Sequence, residues 1–165
     1  MSIVAVKVTD KCIELASDSI MVKGYTQSRS INKYSKLIKV NDMFIGSVGT
    51  AEESSLLWVF ANTRRPEQAT EASLLTFLSE FVDWKNSKIN KASLENEYIF
   101  VIGSKVFQVE NFFIEEVLEY AAIGAGMDYA LTALYLGFSV ERAVETACEL
   151  SVYCEKPINY FCIEK

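Results

Sequence analysis

The sequence predicts an α+β fold of four layers, an αββα sandwich in which two mostly antiparallel sheets pack face to face between two layers of helices. The hydrophobic periodicity predicts four strands, two helices, three strands, two helices and one strand, in that order, and this order favours the sandwich. Half of the residues are hydrophobic, which is enough for a sizeable core. The length of 165 residues suits a single domain spanning 1–165.

The amino-terminal part of the chain is typical of two successive hairpins. Residues 2–8 and 12–17 are rich in β-forming side chains and flank a short polar turn. A polar stretch follows at 18–32, for which the pattern predicts no regular element. Two further strands are expected at 33–40 and 43–49, joined by an Asn-Asp turn.

The period then changes to that of helices. A helix is predicted from Thr50 to about residue 62, because Thr50 is a good N-cap and two glutamates occupy the first turn. A second helix is predicted over 70–84, where leucines, Phe81 and Val82 form an apolar stripe typical of a core-facing side.

The second half of the chain repeats this alternation. Ser139 is a favourable N-cap for the last helix. The pattern predicts strands at 98–102, 105–109 and 117–123, helices at 127–136 and 139–153, and a closing strand at 159–163.

Composition excludes several classes of function. The formal net charge of −6 argues against a nucleic-acid partner, which would require a basic face. The chain has no histidine, so Ser-His-Asp and Cys-His catalytic sites and histidine-based metal sites are excluded. Any hydrolase built on this chain needs another general base.

The cysteines and the amino terminus indicate a cytoplasmic protein. The four cysteines form no CxxC pair and fit no zinc motif, which favours ordinary thiols of a reducing compartment. No signal peptide is recognisable, and no apolar run approaches the ~20 residues that span a bilayer. We therefore expect no membrane association, no metal and no cofactor.

Five segments resemble, in the same order, segments of the proteasomal β subunits and of HslV, the bacterial proteasome-like peptidase. They are SIVAV at 2–6, LASDS at 15–19, SINK at 30–33, GSVGTAE at 46–52 and AIGAGMDYA at 122–130. The predicted order of strands and helices agrees with the sandwich of this family, whose members are N-terminal-nucleophile hydrolases.

The resemblance implies a mechanism that needs no histidine. In the family, the hydroxyl of the N-terminal residue attacks the scissile carbonyl, and the α-amine of that residue is the general base. The matching positions are Ser2 as nucleophile, Asp18 and Lys33 as a supporting ion pair, and Gly49 at the backbone N–H that binds the oxyanion. The lysine lowers the pKa of the amine and of the nucleophile, and the aspartate holds the lysine.

Two positions depart from the family pattern. The family nucleophile is threonine, whereas here Ser2 has to be exposed by removal of Met1, which its small side chain permits. An alternative alignment places Met1 itself at the nucleophile position and predicts an inactive site. In addition, Ala125 stands where the family has a serine that assists the site.

The resemblance also predicts partners. It implies a ring of six or seven subunits, single or stacked in two, with polypeptide as substrate and an unfolding ATPase as a further partner. A catalytically inactive ring or scaffold protein with the same fold is the main alternative.

A nucleotide-binding module is a second alternative, since residues 124–130 match GxGxxxA between a strand and a helix. Only 35 residues follow Ala130, too few for a second βαβ unit.

Overall fold

The computed structural model describes residues 1–29 and 35–165 and has the predicted αββα architecture. The strands are β1 (Val4–Val8), β2 (Cys12–Ser17), β3 (Ile20–Lys23), β4 (Thr26–Arg29), β5 (Leu37–Val40), β6 (Met43–Val48), β7 (Glu97–Ile102), β8 (Lys105–Glu110), β9 (Phe113–Glu116), β10 (Tyr120–Ile123) and β11 (Asn159–Glu164). The helices are α1 (Ala51–Ala61), α2 (Glu71–Ile89), α3 (Met127–Tyr135) and α4 (Val140–Leu150).

Two antiparallel sheets form the inner layers. One has the strand order β10-β1-β2-β11 and the other β5-β6-β7-β8-β9, while β3 and β4 pair only with each other as a separate hairpin. Helices α3 and α4 pack on the first sheet, and α1 and α2 contact the second. The predicted fold class is confirmed, with the β3–β4 hairpin and strand β9 as additions. The strand predicted at 117–123 is the shorter β10.

The core follows the alternation of the strands. Val4 and Val6 of β1 point into the layer between the two sheets, whereas Ala5 points towards α3 and α4. The inter-sheet layer is completed by aliphatic residues from both sheets, among them Ile13, Leu15, Leu37, Val48, Ile99, Val101, Val106 and Ile123. This pattern of period two fixes the register of the central strands.

Side-chain caps define the helix starts that the sequence predicts. Thr50 Oγ1 accepts a hydrogen bond from Glu53 N at 3.3 Å, and Ser139 Oγ accepts one from Arg142 N at 3.3 Å. Both N-cap predictions are confirmed. Helix α2 extends beyond the predicted end near residue 84 and ends before Asn90, which adopts a left-handed conformation with φ 55°.

Most apolar side chains of α1 and α2 are buried inside the subunit. Leu57, Phe60, Leu74, Phe81 and their neighbours pack on the β5–β9 sheet. Large apolar residues that are left exposed include Trp58, Val59 and Leu75 on these two helices, and, around the α3–α4 turn and from the end of α4 onwards, Tyr135, Leu136, Phe138, Leu150, Val152 and Tyr153. The apolar stripe predicted for α2 thus serves the core of the subunit.

No helix within 1–29 and 35–165 combines the length and the apolar character needed to cross a membrane.

Candidate active site

Ser2 lies directly before β1 in a closely packed position. It is 5% exposed, and its carbonyl oxygen accepts a hydrogen bond from Gly126 N at 3.2 Å. A Cβ atom at Gly124 would lie 2.5 Å from that oxygen, so only glycine fits there. The backbone of Ser2 has φ 129°, a value that residues other than glycine rarely adopt. Residues 124–126 thus hold the residue that the sequence predicts as nucleophile.

Asp18 follows β2 and is completely buried. Its Oδ1 accepts a hydrogen bond from Ile3 N at 3.0 Å, and its Oδ2 accepts from Ile20 N at 3.1 Å and Glu155 N at 3.2 Å. Because Ile3 is the residue after Ser2, the carboxylate fixes the start of β1. Three backbone donors thus hold the buried carboxylate in a fixed position.

Among the residues that the structure describes, the cation beside Asp18 is Lys36, which directly precedes β5. Its Nζ donates hydrogen bonds to Asp18 Oδ1 at 2.7 Å and to the carbonyl oxygen of Ile20 at 2.8 Å, and the residue is 7% exposed. Burial lowers the pKa of the Lys36 ammonium below its ordinary value, and the charge and hydrogen bond of Asp18 offset this only in part.

Lys33, the lysine predicted for this role, lies outside the described residues. Lys36 stands three positions further along and was missed by the sequence interpretation. One signal could have indicated it. Lys36 immediately precedes the apolar strand β5, and its neighbour Leu37 is buried, so the backbone at Lys36 lies close to the interior.

Gly49 lies between β6 and α1 with φ 131°, a conformation that favours glycine. The next residue, Thr50, donates its backbone N–H to Asn96 Oδ1 at 2.6 Å. The predicted oxyanion donor is thus in a turn whose backbone is held by a buried side chain, and sequence reasoning did not find that side chain.

A cavity of about 120 Å³ brings these groups together. Ser2, Lys36 and Gly49 all line it, as do Ser47, Val48 and Ala51 from the end of β6 and the start of α1, and Met1, Ile20, Met21 and Val22 on its other side. The cavity thus joins the predicted nucleophile, a buried ammonium and the turn that carries the predicted oxyanion donor.

Two thiols lie near the site but are not suited to act as nucleophiles. Burial, together with the charge of Asp18, raises the pKa of Cys148 to about 12 and that of Cys154 to about 11. Both are therefore protonated at neutral pH, and a thiol reacts through its thiolate. A Cβ atom at Gly126 would lie 2.6 Å from Cys154 Sγ, which explains the glycine next to Ala125.

In the part of the chain that the structure describes, no three His, Cys, Asp or Glu side chains are grouped so as to hold a metal ion.

Comparison with known proteins identifies the fold. No family model matches the sequence, and no curated protein matches it. Among solved structures, BPH of Thiobacillus denitrificans is 20% identical with a TM-score of 0.88, covering 98% of this chain and 97% of that chain. HslV of Trypanosoma brucei is 18% identical with a TM-score of 0.76, covering 99% of both chains. The chain has the HslV fold.

Other structures with this fold extend the likeness. Anbu, an ancestral β-subunit from Yersinia bercovieri, is 14% identical with a TM-score of 0.73, covering 98% of this chain and 81% of that chain. The BPH of T. denitrificans in complex with epoxomicin is 21% identical with a TM-score of 0.85, covering 98% of each chain. The likeness establishes the HslV fold, and the chemistry has to be argued from the residues of this chain.

Proposed function

We propose that this protein is a peptidase that uses Ser2, exposed by removal of Met1, as an N-terminal nucleophile. One observation carries the proposal: Ser2, Lys36 and Gly49 line a single cavity, and Asp18 connects the Lys36 ammonium to the backbone next to Ser2. The HslV fold and the absence of histidine support the same chemistry.

Each group has a role in the proposed reaction. The Ser2 hydroxyl attacks the carbonyl carbon of a peptide bond, and its proton passes to the α-amine of Ser2. The backbone N–H of Gly49 stabilises the negative oxygen of the tetrahedral intermediate. The protonated amine then gives the proton to the leaving nitrogen, which leaves an ester on Ser2. Water hydrolyses the ester with the amine again as base.

The Lys36 ammonium makes this base available at neutral pH. An α-amino group has an ordinary pKa of about 7.7–8.0, and a neighbouring positive charge lowers it further. Asp18 keeps the ammonium at the base of the cavity, since its Oδ1 binds both Lys36 Nζ and Ile3 N. Three backbone donors hold the carboxylate in turn.

The inactive scaffold is the second candidate. Ala125 lacks the hydroxyl that would assist the site, and a retained Met1 would block the amine of Ser2. An inactive protein would keep the same fold and assembly, so the two candidates differ only in the state of the amino terminus and in chemistry at Ser2.

An epoxyketone distinguishes these candidates, because it closes a ring with both the hydroxyl and the α-amine of an N-terminal residue. We expect labelling at Ser2 and at no other residue, seen by peptide mass spectrometry of protein whose amino terminus has been sequenced. Ser2→Ala should abolish labelling, and Ser2→Thr should accelerate it. A complex of BPH with epoxomicin supports the choice of reagent. A chain that begins at Ser2 and reacts with neither epoxyketone nor peptides would instead be the scaffold.

We also propose that the protein acts in the cytoplasm as a ring of six or seven subunits, single or doubled, that receives polypeptide from an unfolding ATPase. The exposed apolar side chains of Trp58, Val59 and Leu75 and those around the α3–α4 turn support self-association, since a monomer rarely exposes such clusters without a partner. Sedimentation at micromolar concentration should give a closed oligomer, weakened in Val59→Glu. A stable wild-type monomer would contradict the assembly.

A further inference from the structure

Asn96 makes a complete set of hydrogen bonds to the turn that carries Gly49. It lies just before β7 and is 2% exposed. Its Oδ1 accepts from Thr50 N at 2.6 Å and from Thr50 Oγ1 at 3.3 Å. Its Nδ2 donates to Thr50 O at 2.9 Å and to Ser54 Oγ at 2.9 Å. All four contacts are made by one amide group to the first turn of α1 and its N-cap.

Asn96 also packs directly on Gly49. A Cβ atom added at Gly49 would lie 2.1 Å from Asn96 Oδ1 and 2.6 Å from its Cγ. Glycine is therefore required at this position both by its φ of 131° and by the amide that lies against it. The two residues form a close contact between the α1 turn and the start of β7.

A buried ion pair fixes Asn96 in turn. Glu53 Oε1 accepts from Asn96 N at 2.9 Å and from the hydroxyl of Tyr98 at 2.9 Å, and Glu53 also binds the ammonium of Lys85, which is fully buried. Burial alone would raise the pKa of Glu53, but the hydrogen bonds from Lys85 and the 95–98 segment outweigh it and lower that pKa. Helices α1 and α2 and strand β7 are thereby joined at one point.

These contacts have a consequence for the cavity. The Thr50 N–H belongs to the planar peptide that follows Gly49, and its bond to Asn96 Oδ1 fixes that peptide, while the bond from Asn96 Nδ2 to Thr50 O fixes the next one. The Gly49 N–H belongs to the peptide that precedes Gly49, and Val48 in that peptide pairs with Glu97 of β7. Gly49 is therefore held on both sides, by the β6–β7 pairing before it and by Asn96 after it. The Thr50 N–H is fully engaged by Asn96. The Asn96 amide does not bind the preceding N–H, which is that of Gly49. Gly49 lines the cavity together with Ser2.

We propose that Asn96 is a positioning residue, which holds the Cα of Gly49 and the peptide after it so that the Gly49 N–H, in the peptide before it, faces the carbonyl oxygen of a bound substrate. This inference rests on the function proposed above. Asn96 does not touch the reacting atoms in this arrangement; it acts through the backbone of Gly49. Small errors in the direction of such a donor reduce transition-state stabilisation while leaving substrate binding intact.

The test compares Asn96→Ala with Ser54→Ala in the full chain beginning at Ser2. Ser54→Ala removes a single partner of the Asn96 amide and keeps its bonds to the Thr50 backbone. Peptide hydrolysis is measured well below the unfolding temperature, and kcat is expressed per site titrated to completion by an epoxyketone. We expect kcat of Asn96→Ala to fall by about 10- to 100-fold, with KM within about twofold. Ser54→Ala should stay within about twofold in both constants.

A purely structural role predicts a different result. Asn96→Ala would then lower the unfolding temperature and the fraction of titratable sites, with unchanged kcat per titrated site, and this would overturn the inference. If Asn96→Ala does not fold, Asn96→Asp replaces it, since it keeps the size of the side chain. It loses both Nδ2 donations and places negative charge beside the turn. Its kcat should fall at least about tenfold at similar KM, and an unchanged kcat would equally overturn the inference.

Hydrogen exchange adds a readout that does not depend on turnover. The Thr50 amide should be protected in the wild type and exchange faster in Asn96→Ala, while amides of β1 stay protected. Equal protection of Thr50 in both proteins would count against the role of Asn96. A wild-type chain that begins at Ser2 and neither cleaves peptides nor reacts with epoxyketone overturns the proposed function. An active wild type with normal Asn96→Ala kcat overturns only this inference.

Discussion

Replacing Lys36 by methionine is expected to lower kcat for peptide hydrolysis by at least about 100-fold, the scale of a lost acid–base contribution. In the proposed mechanism, the positive charge in the cavity favours the unprotonated Ser2 amine and a reactive hydroxyl. Without that charge, the pKa of both groups should rise. Initial rates over a range of pH measure the effect, and the rate of Lys36→Met should recover in part as the pH increases.

Two other lysines serve as matched controls. Lys39 lies in β5, three residues after Lys36, but is exposed, with its ammonium 5.2 Å from the ring centre of Phe44. Lys39→Met should retain wild-type kcat. Lys33→Met tests the lysine indicated by sequence resemblance. If Lys33→Met is inactive and Lys36→Met is active, the ion pair with Asp18 is structural and the catalytic lysine is Lys33.

The same ion pair should have a large effect on stability. Removing one partner of a buried pair costs about 3–5 kcal/mol, because the remaining charge is left uncompensated. We expect Lys36→Met to lose free energy of unfolding on this scale, since Asp18 has no exposed surface. The double variant Asp18→Asn/Lys36→Met should lose less than the sum of the two single variants, by more than about 1 kcal/mol.

The double variant should still have a lower free energy of unfolding than the wild type. Both carboxylate oxygens of Asp18 accept backbone N–H groups, so the amide nitrogen of an asparagine would face a donor. Urea unfolding of the four proteins gives the coupling energy. The exposed pair Arg64–Glu80 is a suitable control, because a double-mutant cycle there should give less than about 1 kcal/mol. An equally small coupling between Asp18 and Lys36 would mean that the two charges do not stabilise each other in solution.

Local patterns were sufficient to predict the architecture. Thr50 and Ser139 are N-caps whose hydrogen bonds span three residues, so they can be recognised from sequence alone. The central strands either alternate apolar and polar residues or are continuously apolar. The order of these strands and the helices along the chain is typical of the sandwich. The β3–β4 hairpin was missed because Thr26, Gln27 and Ser28 are polar and exposed, which leaves no alternation to detect.

The site is formed by contacts between residues that are far apart in the sequence, and local patterns do not predict such contacts. Lys36 reaches Asp18 across 18 positions, and that contact depends on the path of the chain between them. The resemblance indicated Lys33, which lies outside the described residues, so its role stays a prediction. Asn96 contacts Thr50 across 46 positions, and Glu53 contacts Asn96 across 43. Neither contact leaves a periodic signal. Ser2 and Asp18 were paired through the family resemblance, and the short β1–β2 hairpin between them keeps their spacing local.

Removal of Met1 should also change the free energy of unfolding, because of the backbone conformation at Ser2. The torsion φ of Ser2 is defined by the carbonyl carbon of Met1, and its value of 129° is costly for serine. A residue in such a region costs about 1–3 kcal/mol. A chain that begins at Ser2 has no such torsion, so we expect its folding equilibrium constant to exceed that of the longer chain by about 5- to 160-fold. Trimming by one residue, usually regarded as a requirement of chemistry, would here also strengthen the fold.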